Sequence, residues 1–152
     1  MTVARSAGML PDSLSPTDLS KRIQEWMHPY SDTPSDTLRG VLDALEGRPA
    51  PGGFIIIASS ESSVPSGALV MLKTGMRGYI PPNLLLFLAV DPSRRRSGIG
   101  SRLLQKAVEN SHGPIKLHVE PDNPALSLYR KNGFSPAYLD MRLIRNDEGA
   151  DE

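Results

Sequence analysis

Hydrophobic positions along the chain fall into separable rhythms. Leu19, Ile23, Trp26 and Met27 recur at helical spacing behind Ser15-Pro16-Thr17-Asp18, which supplies an N-cap, a proline at the first helical position and an acid in the first turn. This predicts a helix ending near Pro29. A second is expected to open at Ser35-Asp36, with Leu38, Val41, Leu42 and Leu45 on one face and Gly47 just past its end. Residues 54–58 and 67–73 are β-type runs around a serine-rich loop and read as a hairpin, and 2–5 could add a short strand. Residues 84–90 are apolar throughout, the pattern of a strand covered on both faces. Beyond them Ile99, Leu103, Leu104, Ala107 and Val108 line one helical face, stopping near Gly113-Pro114. Residues 115–119 alternate as a strand, 124–131 read as a helix ended by Asn132-Gly133, and 138–144 as a last strand.

Strand, glycine-rich turn, helix and strand make a βαβ unit, so the strands at 84–90 and 115–119 should be parallel with a right-handed crossover. The class is α/β or α+β with a mixed sheet. At 152 residues the chain suits one domain, spanning 1–145, with 146–152 an acidic, disordered end.

Composition removes several functions. Lysine plus arginine and aspartate plus glutamate number 17 each, so no global field draws the chain to nucleic acid or a membrane surface. No cysteine is present, which excludes disulfides, thiolate metal sites and a cysteine nucleophile. The longest apolar run is too short to span a bilayer, and residues 1–8 lack the apolar centre of a signal peptide. The expectation is a soluble, cytoplasmic protein. His28 and His112 have no partners at metal-ligand spacing, so no metal is implied.

Against that neutral background, the run Arg94-Arg95-Arg96-Ser97-Gly98-Ile99-Gly100 is a local device. A helix that starts beyond the carboxyl end of its strand presents unpaired amides and the positive end of its dipole, which favours an anion. Gly98 and Gly100 permit close backbone approach, and the arginines add charge. A Walker loop would need a lysine that is not there, and a dinucleotide fingerprint would need glycine where Leu103 stands.

What remains is R-x-x-G-x-G at Arg95 to Gly100, preceded by LLLFLAVDPSR and followed by DNPALSLYRKNGF. In this combination the chain resembles the GNAT superfamily of acyl-CoA-dependent N-acetyltransferases, closely over about 54–134 and loosely elsewhere. The resemblance implies a mixed, mostly antiparallel sheet with a central splayed parallel pair and flanking helices. It implies that Arg95, Arg96, Ser97, Gly98, Ile99, Gly100 and Ser101 hold the CoA pyrophosphate through their amides, and that Leu88, Ala89 and Val90 pair with the pantetheine arm. Asn123 resembles the asparagine that ties strand end to cofactor in relatives, with Asp122 as the alternative.

Acetyl transfer to an amine needs a neutral nucleophile, donors for an oxyanion and a proton for the departing thiolate. Tyr129 stands where the family places its general acid; otherwise it would be a half-buried helix tyrosine with its hydroxyl on solvent. The family's oxyanion donor corresponds to the Val90 or Ala89 amide. The position of a strand glutamate in some relatives is Leu84 here. His118 in LHVEP alternates toward the cleft side with Glu120, and an imidazole suits a base working near neutrality. Asp91 should cap the turn and Phe134 anchor the core. Met76, Arg77 and Tyr79 are candidates for lining the acceptor side.

The leading expectation is an N-acetyltransferase that moves acetyl from acetyl-CoA to a primary amine, on a small molecule or peptide, by direct attack in a ternary complex. A non-catalytic acyl-CoA-binding or sensing module on the same fold is the alternative, and a plain interaction domain leaves the glycine turn unexplained. The short stretch after Phe134 has room for one long strand or a cramped pair, so a homodimer could complete the sheet.

Overall fold

The computed structural model describes residues 1–46 and 52–146. Gly47 and most of the acidic end expected to be disordered lie outside these residues. Five strands form one sheet in the order of the chain: β1 (Thr2–Ala4), β2 (Gly53–Ser59), β3 (Pro65–Lys73), β4 (Asn83–Val90) and β5 (Ile115–Leu117). Neighbours are antiparallel except β4 and β5, which are parallel and joined by a helix. The expected hairpin, first strand and crossover are all present.

Two helices cover each face. On one lie α1 (Pro16–Met27) and α2 (Pro34–Glu46), whose Leu19, Ile23, Trp26, Val41 and Leu45 pack on Ile55, Ile57, Val70, Phe87 and Ala89. On the other lie α3 (Ile99–Glu109) and α4 (Ala125–Lys131), with Ile99, Leu103, Leu104, Ala107 and Tyr129 against Phe54, Ile56, Leu69, Met71 and Leu85. β2 alternates between these layers because successive side chains point to opposite faces, and both of its faces are covered. The α1 start carries a full capping box, in which the Ser15 side chain accepts from the Asp18 amide and Asp18 from the Ser15 amide.

Three expectations change. The buried face of α2 runs through Thr37, Gly40, Val41, Ala44 and Leu45, while Leu38 and Leu42 are only partly covered. A Cβ at Gly40 would overlap Leu86 and Phe87, so small residues set how closely α2 lies on β4. β5 stops at Leu117, two residues early. Residues 138–144 form no strand and are exposed. A three-residue β5 offers too short an edge to fix a register for that segment.

β4 carries the feature that positions everything else. Its register against β3 pairs Val70 with Phe87 but Met71 with Leu85, so Leu86 is an extra residue, a β-bulge. The bulge reverses which side chains face which layer: Leu85 joins the α3 side, Phe87 and Ala89 the α1 side. Pairing with β5 covers Asn83, Leu84 and Leu85 and ends there. Buried Asn83 fastens the crossover by donating to the carbonyls of His112 (2.7 Å) and Pro114 (3.2 Å).

Candidate functional site at the splayed strand end

From Leu86 to Val90 the β5 side of β4 has no strand partner, so a row of backbone donors and acceptors opens beside the start of α3. Leu88, Ala89 and Val90 all lie in this unpaired stretch. The expected strand-end residues and glycine turn are therefore neighbours, joined by a short 3-10 turn at Pro92–Arg94.

Asp91 caps that turn, its Oδ1 accepting from the Ser93 amide (3.0 Å) and hydroxyl (2.9 Å). Those bonds, the amide first, hold its carboxyl below the usual range. Its own amide donates to the Ser66 carbonyl at 2.9 Å, anchoring the turn to β3. Arg96 and Gly98 then adopt left-handed backbone, at φ 67° and 83°, a region that a β-branched residue enters only at a cost. This double reversal turns the chain into α3. The first helical bond is donated by the Arg102 amide to the Gly98 carbonyl at 3.1 Å, so the Ile99, Gly100 and Ser101 amides have no acceptor within the helix. Gly98 has open space where a Cβ would stand. Gly100 has another constraint: its Cβ would come within 2.8 Å of Leu128 on α4.

The basic run divides by role. Arg95 donates from Nη2 to the Trp26 carbonyl at the end of α1 and from Nε to the Val90 carbonyl at 3.3 Å. It is a clamp between α1 and the end of β4. Arg94 and Arg96 are exposed beside the turn. Ser97 donates its hydroxyl to the Arg94 carbonyl, and Ser101 Oγ accepts from Asn132 Nδ2 at 3.3 Å. Asn132 thus links the end of α4 to the start of α3. In the sequence Asn132 reads only as a helix stop, since its partner is 31 residues away.

Tyr129 on α4 is 7% exposed, packed edge-on against Phe134 with ring centroids 5.8 Å apart. Its hydroxyl has no hydrogen-bond partner among the described residues. Burial first, and the Glu120 carboxylate second, push its pKa up to about 12. The ring is thus buried, while the hydroxyl, without an internal partner, keeps contact with solvent.

His118 and Glu120 lie just past β5 and are exposed, whereas Leu117 and Val119 pack toward the α3 layer, as the alternation requires. His118 Nε2 stands 3.5 Å from Asp140 Oδ2, and its Nδ1 is 3.4 Å from Arg142 Nη2. The sequence gives no sign of either neighbour, because both lie more than twenty residues further along the chain. Asn123 spends its side chain locally, Nδ2 donating to Glu120 Oε1 (3.0 Å) and Oδ1 accepting from the Ala125 amide (2.9 Å). The Tyr30 hydroxyl donates to the Asp122 carbonyl at 3.1 Å, so the connection between α1 and α2 forms the far wall. Asp32 on that connection has its pKa raised, by burial first and then by Asp36 and Glu120. Met76 and Tyr79 lie exposed in the loop before β4, at the opposite end of the sheet, and take no part in this cleft. A hollow at that end is lined by Arg5, Phe54, Met76, Asn83 and His112.

An unpaired strand edge, a helix start with free amides and a buried phenol can together grip an extended, anion-bearing thioester. Comparison with known proteins agrees with that geometry. The family model for the acetyltransferase (GNAT) domain matches residues 51–136. A mycothiol acetyltransferase of Clavibacter sepedonicus is 43% identical over 63 residues, covering 38% of this chain and 21% of that protein. The chain thus spans about a fifth of the length of the curated relatives it matches. Among solved structures, an acetyl transferase from Pyrococcus furiosus superposes with a TM-score of 0.61 at 24% identity, covering 85% of this chain and 91% of that one. An aminoglycoside N-acetyltransferase in complex with CoA does so with a TM-score of 0.62 at 15% identity, covering 84% and 88%.

Proposed function

The chain belongs to the GNAT acetyltransferase family, and on that premise we propose that it transfers acetyl from acetyl-CoA to a primary amine by direct attack in a ternary complex, with residues 1–145 as a single catalytic domain. The observation that carries this reading is the open edge of β4 from Leu86 to Val90, leading from the unpaired amides of α3 toward buried Tyr129. The CoA-bound neighbour supports CoA as carrier and an amine nitrogen as acceptor.

Acetyl-CoA supplies an activated thioester. The Ile99, Gly100 and Ser101 amides, with exposed Arg96 beside them, fit its pyrophosphate. Backbone groups of Leu88 and Val90 on the open side of β4 suit the amides of its pantetheine arm, and the amide of Val90, whose own carbonyl accepts from Arg95, would donate to the carbonyl oxygen as charge grows on it. Tyr129 holds its proton throughout the neutral range. Because its pKa of about 12 lies above the roughly 8.5 of a free thiol, it acts by hydrogen-bonding the departing sulfur more than by releasing its proton completely. His118, standing between Asp140 and Arg142, receives the amine proton directly or through water, with Glu120 as the next acceptor.

The deciding experiment is a screen of acetyl-CoA turnover against aminoglycosides, polyamines, amino acids and peptide N-termini. Release of free CoA thiol that depends on one of these amines is the expected result. Tight CoA binding with no turnover on any of them would favour the sensing module.

A further inference from the structure

The hollow at the far end of the sheet takes no part in the reaction cleft, yet its walls are chemically uneven. It measures about 510 Å³, within the range that small ligands fill. Strand register places its side chains on the α3 face of the sheet. Lys73 and Asn83 are partners across β3 and β4, and Asn83 lies two residues before Leu85, which faces α3. Phe54 pairs with Met71, two residues before Lys73, and shares that face. The Arg5 guanidinium stands 5.2 Å over the Phe54 ring. The chain leaving α3 at Asn110 and Ser111 completes the rim.

Two charges and one oxygen here lack counterparts. Arg5 and Lys73 are exposed, neither forms an ion pair with a described residue, and no carboxylate lines the hollow among the described residues. Cations gathered on one wall without a counter-ion favour an anion, which would accept charge-assisted bonds from both. Asn83 is 4% exposed, and its Nδ2 is engaged by the His112 and Pro114 carbonyls. Its Oδ1 accepts from no described residue and is not sealed from solvent, so it offers an acceptor within the hollow. Such an oxygen calls for a donor. The carboxyl end of α3 beside it carries the negative end of the helix dipole, which prefers a positive donor to a neutral one.

We propose that this hollow binds a free α-amino acid with an apolar side chain, its carboxylate on Arg5 and Lys73, its ammonium on Asn83 Oδ1 and its tail against Phe54 and Met76. No bond is made or broken there. α3 has 11 residues, so about 16 Å of helix separates this site from the amides of Ile99 to Ser101. The inference stands apart from the proposed reaction, because it is read as binding in the absence of acetyl-CoA. An amino acid entering the cleft as an acceptor would perturb different residues.

NMR of the full chain titrated with L-leucine tests it. Shifts should concentrate on Arg5, Lys73, the Asn83 side-chain amide, Asn110 and Ser111, and leave Gly98 to Ser101 unmoved. Isocaproate, which lacks the ammonium, and isoamylamine, which lacks the carboxylate, should each bind at least about tenfold more weakly, since each leaves part of the site without its counterpart. Lys73→Glu, at an exposed position, should weaken leucine binding by about tenfold or more. Its circular dichroism and its CoA-induced rise in melting temperature should match the wild type, which shows that the variant is folded. No shifts up to about 10 mM leucine, shifts confined to the cleft, equal affinity for leucine and either truncated analogue, or undiminished affinity in Lys73→Glu would overturn the proposal.

Discussion

The role proposed for Tyr129 rests on one atom. Its hydroxyl sits in an apolar setting near a carboxylate, with no internal acceptor to compete for its proton. Tyr129→Phe deletes that proton donor and almost no packing. Turnover should fall by about tenfold to a thousandfold with acetyl-CoA affinity nearly unchanged, and an unaltered turnover number would remove Tyr129 from the reaction. The same burial has a consequence for stability that needs no substrate. A folded pKa of about 12 lies above the ordinary tyrosine value of about 10, so the unfolded chain loses this proton first. The stabilisation is complete below about pH 10 and disappears as pH rises toward 12, amounting to about 2 to 3 kcal/mol. In alkaline denaturation, Tyr129→Phe should therefore lose less stability over that window than the wild type; identical slopes would contradict the raised value. His118 calls for a different measurement. Replacing it by alanine should lower kcat/KM most on the plateau above the acid limb, where a neutral base is available to the wild type, and flatten that limb; a profile identical to wild type would hand the amine proton to water or Glu120. The position of His118 opposite the core-facing residues could be read from alternation in LHVEP. Its neighbours Asp140 and Arg142 could not, because they are more than twenty residues away and meet it only in three dimensions.

The turn between β4 and α3 shows what a motif discloses about an element and what it conceals. R-x-x-G-x-G located the reversal, and the left-handed Gly98 is the kind of position where glycine is informative. The division of labour among the arginines was hidden, since a pattern of residue types does not say which guanidinium is used up on carbonyls. Arg95, clamped to Trp26 and Val90, should behave as a structural residue: Arg95→Ala should lower stability by about 1 to 2 kcal/mol in chemical denaturation. Arg96→Ala should leave stability unchanged, weaken the CoA-induced rise in melting temperature and reduce its sensitivity to salt. Gly98→Val should abolish that rise. The reverse pattern, with Arg95 affecting only CoA and Arg96 only stability, would refute the assignment. The Leu86 bulge escaped the sequence for a related reason. Residues 84–90 are apolar without interruption, so no alternation was available to register the one-residue slip that sends Leu85 and Phe87 to opposite layers. Hydrophobic pattern located β4, while its parting from β5 after Leu85, next to the bulge at Leu86, shows only in the register.

For the molecule as a whole, the layers converge on one cleft. The α1–α2 connection reaches Asp122 through Tyr30, the α3 turn is tied to α1 through Arg95, and α4 is tied to α3 through Asn132. A ligand lying along β4 would touch elements from both faces of the sheet, so its binding should stabilise the fold globally. At a hundred times the dissociation constant the linkage term is about 2.7 kcal/mol, a shift of several degrees for a chain of this size. Acetyl-CoA and CoA should produce it, and adenosine without phosphates should not. The proposed order of the reaction is a matter of kinetics. The sequence contains no cysteine, so no thioester-enzyme intermediate can form, and under the proposed direct attack the amine meets the thioester while it is still bound. Initial rates measured with both substrates varied should therefore give intersecting double-reciprocal lines. Parallel lines, or acetyl label retained on protein after exposure to acetyl-CoA alone, would require a covalent intermediate and overturn direct attack while leaving the CoA site intact.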